Sequence, residues 1–182
     1  MTKISNLPQD TSPTGTDFVP TLETTSGQTN KVLLSDIGEY IGSYPQNPYK
    51  FSAWRSTALT PNGAYIIFNT ELFDTNSNYS TSDGKYTVPV TGYYHINAQA
   101  VFNVTAAPQD PCILLKKNNN TDIAYSHFVN MYNGASNGNV LISVLVSLTA
   151  GDYIQVQGVA NLALNVTNQA YNNFSGFLVS AT

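Results

Sequence analysis

Residues 93–102 read Tyr93-Tyr94-His95-Ile96-Asn97-Ala98-Gln99-Ala100-Val101-Phe102. Every second position, Tyr94, Ile96, Ala98, Ala100 and Phe102, is apolar, and the set between them begins with Tyr93, His95, Asn97 and Gln99. Side chains along a strand point alternately to its two faces, so this period of two places the first set on one wall of a core. The stretch predicts a strand with those five residues inward.

The same period recurs on both sides of it. In 139–148, Val140, Ile142, Val144, Val146 and Leu148 form one row, and Asn139, Leu141, Ser143, Leu145 and Ser147 the other. Leu141 and Leu145 on the nominally wet face imply a second partner, and burial between subunits is the reading they favour. Thr149-Ala150-Gly151-Asp152 then reads as a turn, after which Tyr153–Gln157 is expected to return antiparallel as a hairpin. Upstream, Ile66, Phe68 and Leu72 in 64–73 fall on one face with Asn69 and Glu71 opposite, and Phe174–Val179 supplies a last apolar strand. Polar stretches at 74–85, 103–111, 129–138 and 160–172 separate these runs. Strands without an intervening helical pattern predict an all-β antiparallel sandwich or barrel.

Composition sets the frame. The chain has 182 residues, room for one medium domain and a short appendix. Charged residues make up 10% of it, against roughly 25% in ordinary soluble proteins. Its polarity comes from Asn, Thr, Ser and Tyr, which suit short strands and polar loops. The net charge is −4 and the seven cations are scattered apart from Lys116 and Lys117, so nucleic-acid binding is excluded as an expectation. Cys112 is the single cysteine, which rules out an intrachain disulfide. No apolar run reaches membrane-spanning length, and Met1–Pro8 lacks the apolar core of a secretion signal. The expected setting is the cytoplasm in which the chain is made, unless a larger particle carries it out.

Residues 1–48 carry Pro8, Pro13, Pro20, Pro45 and Pro48 among Thr, Ser and Asp, too few apolar anchors for a core. Within them Lys31–Leu34 reads as a strand, and Ser35 is placed to cap a brief helix presenting Ile37, Tyr40 and Ile41. Ser43–Pro48 reads as a linker. The expected division is a 1–48 attachment segment followed by a head over 49–182.

Four pieces of the head carry a family resemblance. Phe51-Ser52-Ala53-Trp54-Arg55-Ser56-Thr57 is similar to an opening strand and Ala64-Tyr65-Ile66-Ile67-Phe68-Asn69 to a second. Asn78-Tyr79 through Asp83-Gly84-Lys85-Tyr86-Thr87-Val88-Pro89-Val90-Thr91-Gly92-Tyr93-Tyr94 is the most specific: a tyrosine, a Gly-Lys turn with an aromatic, then Pro and Gly before paired aromatics. Leu148–Ile154 and Phe174–Leu178 match a final hairpin and closing strand. Together they resemble the globular C1q-like head, a jelly roll related to tumour necrosis factor-type ligands. The resemblance implies an antiparallel jelly-roll sandwich, assembly as a homotrimer and a non-enzymatic binding role with no cofactor. The family's collagen-like stalk has no counterpart, because no Gly-X-Y period occurs. In its place Ile4–Pro8, Thr14–Pro20 and Thr29–Ile37 resemble the leader of bacteriophage tail and fibre proteins. That implies a virion appendage, bound to other virion proteins through residues 1–48 and to a host-surface glycan or protein through its head. The alternative is a capsid decoration or fibre cap that binds no receptor.

Candidate chemistry is sparse. His95 and His127 have no second His or Cys at metal-ligand spacing, and no Gly-x-Ser-x-Gly elbow supports a hydrolytic triad. Asp110, Asp122 and Asp152 are hard oxygen donors of the kind Ca²⁺ takes, yet no EF-hand or acidic run groups them, so turn and loop roles are expected. Tyr79, Tyr132 and Tyr171 stand in loops, where a ring can stack on a sugar or anchor a protein, or simply pack. Metal ligands are not expected, nor is membrane insertion.

Overall fold

The computed structural model describes residues 14, 16, 18–22, 29–33, 48–104, 110–128 and 136–182. The chain divides into two units, Met1–Gln46 and Asn47–Thr182. In the first, β1 (Phe18–Leu22) and β2 (Thr29–Leu33) pair antiparallel, with Phe18 opposite Leu33 and Pro20 opposite Lys31. Both strands of a two-stranded ribbon are edges, which is where Pro20 is tolerated. Of the strand expected at Lys31–Leu34, Lys31–Leu33 form the second half of β2, and Leu34 lies outside the described residues. The helix expected after Ser35 and the linker up to Asn47 lie outside the described residues.

The second unit holds β3 (Lys50–Trp54), β4 (Thr70–Asp74), β5 (Tyr86–Thr87), β6 (Gly92–Val104), β7 (Cys112–Lys117), β8 (Thr121–His127), β9 (Ser136–Leu148), β10 (Tyr153–Gly158) and β11 (Asn173–Ala181). One sheet runs β4-β3-β11-β6-β9 and the other β5-β10-β7-β8, every pair antiparallel. The fold is an all-β antiparallel jelly-roll sandwich.

The alternation at 93–102 lies inside β6. Tyr94, Ile96, Ala98, Ala100 and Phe102 are fully buried, and Val140, Ile142 and Leu148 of β9 join them. At the centre Phe51 stacks on Tyr86 at 4.2 Å and 15°, and on Tyr79 at 5.3 Å and 8°, while Phe174 meets Phe51 edge-on at 4.9 Å. Offset and edge-on rings are the arrangements their quadrupoles favour. Gly176 is where β11 lets that cluster close: a Cβ there would stand 2.6 Å from Ile96 Cδ1 and 3.1 Å from the His95 carbonyl oxygen. Asn172, wholly buried, accepts the Val101 amide at 2.9 Å and donates to the Asn165 carbonyl, pinning the 160–172 stretch to β6.

Two expectations are corrected, and one hairpin is added. The turn at 149–152 forms, with the Thr149 carbonyl accepting the Asp152 amide at 2.9 Å, but it does not close a hairpin. Val88 captures its backbone, accepting the Gly151 amide at 2.9 Å and donating to the Asp152 carbonyl at 2.8 Å, so the chain passes from β9 in one sheet to β10 in the other. Likewise 64–73 is not one strand. Ile66 donates to Val156 and flanks β10, whereas β4 begins at Thr70 and pairs with β3, which leaves Leu72 outside the core, 52% exposed. Finally, β7 and β8 form a hairpin across the stretch holding Lys116, Lys117 and Asp122, which no strand expectation covered. Its turn places Asn118 and Asn119 at φ +51° and +67°, a conformation that asparagine tolerates better than most residues.

Candidate functional site

The face that stands out is the outward side of the five-stranded sheet. Register sets its rows. Leu145 of β9 lies opposite His95 of β6, which lies opposite Phe177 of β11. A second row runs Ser143, Asn97, Ser175, Ser52 and Phe73, and a third Leu141, Gln99, Asn173, Trp54 and Thr70. Leu141 and Leu145 are 56% and 59% exposed, and Phe73, Tyr93, Phe177 and Val179 are exposed too. Apolar groups thus flank a polar middle. A recess of about 300 Å³ opens between Phe73 and Phe177, and another of about 400 Å³ between Trp54 and Asn168.

In the polar middle, His95 Nε2 lies 3.2 Å from Ser143 Oγ, a spacing that invites comparison with a nucleophile and its base. Nδ1 lies 3.3 Å from the Asn97 side-chain amide nitrogen, so both ring nitrogens are engaged by neighbouring polar side chains of the sheet. Neither contact brings a carboxylate to the ring, the third partner that orients a catalytic base. His95 also packs on Phe177, with ring centroids 5.4 Å apart, as a polar element of the surface.

The remaining sequence candidates disperse. Tyr79 belongs to the core, 7% exposed, with its hydroxyl donating to the Phe68 carbonyl at 3.0 Å, and burial pushes that hydroxyl well above the usual tyrosine range. Its ring is closed to a ligand. Tyr171 is half-buried in the 168–172 turn, donating its amide to Asn168, and Tyr132 lies outside the described residues. His127 stacks on Tyr125 at 5.7 Å on the edge strand β8. Asp152 holds the 149–152 turn, its Oδ2 accepting the Thr149 amide at 2.9 Å. Asp122 pairs with Lys116 across the β7–β8 hairpin. Among the described residues no three His, Cys, Asp or Glu side chains group as metal ligands.

The C1q domain family matches residues 50–179, which span β3 to the body of β11. The chain belongs to that family. Solved structures repeat this C1q architecture. The globular domain of zebrafish complement 1qA protein superposes with a TM-score of 0.59 at 18% identity, covering 74% of this chain and 99% of that one. Eiger TNF from S. frugiperda gives 0.61 at 10% identity, covering 74% and 94%. Murine APRIL gives 0.58 at 12%, covering 71% and 98%. At these identities the likeness is one of fold. No curated protein sequence matches the chain.

Sequence reasoning missed one part of the C1q head's polar surface, the outward side of β10. Gln155 and Gln157 alternate there with the buried Ile154 and Val156, a period-two signal visible in the sequence.

Proposed function

We propose that this chain is a non-enzymatic, homotrimeric appendage protein of a bacteriophage virion, whose C1q-type head adheres to the host surface. The observation that carries the reading is the outward face of the five-stranded sheet. Leu141, Leu145, Phe73, Phe177, Tyr93 and Val179 are exposed together on this one face. An apolar patch of this kind on a charge-poor protein marks an association surface. The recesses beside Phe73 and Trp54 offer pits for a neighbour's leucines, a head-to-tail fit that closes into a ring when the rotation is threefold. Residues 1–48, whose Ile4–Pro8 and Thr14–Pro20 resemble fibre leaders, join the trimer to other virion proteins, and the virion is the expected location.

The test has two arms. Light scattering of the purified chain at micromolar concentration is expected to give the trimer mass, and a stable monomer refutes the assembly. Labelled chain is expected to bind susceptible bacteria. Absence of binding across susceptible strains refutes adhesion and leaves the structural reading, a capsid decoration or fibre cap.

A further inference from the structure

Gln155 points outward from β10, since Ile154 and Val156 on either side enter the core, yet it is only 4% exposed. The covering comes from three elements. The turn 82–85 folds over it, with Gln155 Nε2 donating to the Asp83 carbonyl at 2.8 Å. Tyr65 and its neighbours run beside β10, paired through Tyr65 and Gln157, and Asn119 of the β7–β8 turn closes the third side. Between them lies a solvent-open recess of about 410 Å³ lined by Tyr65, Ser82, Asp83, Lys85, Asn119 and Gln155. That volume falls within the range of small-molecule sites, about 300–1,000 Å³.

Gln155 Oε1 is buried with no hydrogen-bond partner. A buried acceptor left in that state is costly, and a donor that reaches it through a shift of the recess lining removes the cost. Lys85, which also lines the recess, pairs its ammonium with Asp83 Oδ2 at 2.9 Å and sets it over the Tyr153 ring, 5.0 Å from the centroid; the ion-paired side chains are 35% and 45% exposed. An ion pair this accessible holds weakly, so both groups can exchange partners with a ligand.

We propose that this recess is a subsite for a neutral pyranose unit of a surface glycan. Charge selects the class. An anion reaching Lys85 meets the Asp83 carboxylate, and a cation reaching Asp83 meets Lys85, whereas a polyhydroxyl ligand donates to one and accepts from the other. Ser82 and Asn119 offer both kinds of hydrogen bond, Gln155 supplies the unmatched acceptor, and Tyr65 adds to the lining an aromatic ring of the kind that packs on the C–H face of a sugar. The site sits on the four-stranded sheet, away from the apolar face of the other sheet. A recess this open binds weakly, with Kd on the order of 1–10 mM.

The site deepens the adhesion reading by naming its ligand class, and the experiment separates the two. The full chain, isotope-labelled, is titrated with methyl glycosides of glucose, galactose and mannose, and amide shifts are followed by NMR. Saturable shifts at the Gln155 and Asn119 side-chain amides are expected with at least one sugar. Asn119→Gly suits the φ of +67° and deletes the side chain, so it is expected to fold and to weaken binding by about fivefold. Gln155→Met removes the acceptor together with the Nε2 bond to the Asp83 carbonyl and is expected to weaken binding about tenfold or more, with thermal unfolding checking that the head stays folded. Blank titrations with all three sugars, or equal affinities in wild type and both variants, overturn the subsite. Cell binding that persists beside blank titrations overturns the subsite and leaves adhesion standing. Sugar binding that meets these expectations in a chain that ignores cells supports the subsite and overturns adhesion.

Discussion

Replacing Leu141 and Leu145 together by Asp should convert the proposed trimer to monomers without harming the fold. Both side chains are exposed on β9, 56% and 59%, so the monomer core does not use those surfaces. Full burial of a leucine is worth about 1.5–3 kcal/mol, so covering the remaining half of each contributes about 0.8–1.5 kcal/mol. The six copies in a trimer together contribute about 5–9 kcal/mol, or about three to six powers of ten in the association constant at about 1.4 kcal/mol per tenfold. The introduced carboxylates add desolvation on top. Sedimentation velocity at about 10 µM reads the result, and thermal unfolding checks that the head remains folded, because exposed substitutions shift stability by about 0.5 kcal/mol or less. Tyr125→Ser provides the control. Tyr125 is 68% exposed, more than either leucine, but it belongs to β8 in the other sheet, so its loss should leave the mass unchanged. A double variant that sediments as a trimer with wild-type dissociation refutes the assignment of this face.

Gly176→Ala forces a Cβ against Ile96 and the His95 carbonyl and should cost about 1–3 kcal/mol, read as a lower Tm. Tyr79→Phe strands the Phe68 carbonyl in the core and should cost about 1–2 kcal/mol in a denaturant melt while leaving cell adhesion intact; lost adhesion in a fully stable variant would restore Tyr79 as a contact residue. The Asp152 carboxyl is raised by burial, but hydrogen bonds from Thr149 and Asn118 and the charge of Lys117 outweigh that and hold it below its ordinary value of 3.8. A depressed folded value stabilises above the unfolded value and loses that contribution as pH falls through the folded one, so Asp152→Asn should melt lower than wild type at pH 7 and the gap should close below about pH 4.

What the sequence made legible follows from how locally each feature is encoded. β6 and β9 were readable because one face of each is uniformly apolar over ten residues, and the pairing of Tyr94 with Val146 and Ala98 with Ile142 then follows from burying both rows. Leu141 and Leu145 were readable for the opposite reason, as apolar residues where the pattern calls for polar ones. The 149–152 turn was identified correctly yet assigned the wrong partner. A turn's residues specify its own backbone, whereas the choice between β6 and β10 as the next neighbour depends on Val88, some sixty residues upstream. The β7–β8 hairpin escaped because Cys112–Lys117 carries only Ile113 and Leu115 inward. Its signal was the asparagine run Asn118–Asn120, which reads as polar loop unless the left-handed tolerance of asparagine is weighed. Tyr79 sits in an irregular stretch, and irregular backbone does not imply an exposed side chain. Its ring lies on Phe51, contributed by a strand more than twenty residues earlier.

The two outward faces impose different requirements, and the sandwich lets both be met. An association face must present exposed apolar groups, which is hazardous on a free protein, so it benefits from being covered as soon as the chain folds. A recognition face must remain wet and polar. Leu141, Leu145 and Phe177 lie on the five-stranded sheet, and Gln155, Asp83 and Asn119 lie on or over the four-stranded one, with the core of Phe51, Tyr86 and Phe174 between them. Covering the first face in the proposed trimer therefore leaves three copies of the second open. Each proposed recess alone would hold a sugar weakly, but three on one rigid body convert later contacts into intramolecular ones, and the gain reaches about 10²–10⁴ when the ligand repeats along a surface. On that account, variants that dissociate the trimer should weaken adhesion to cells far more than they weaken binding of a single glycoside, because only the former depends on the number of sites held together.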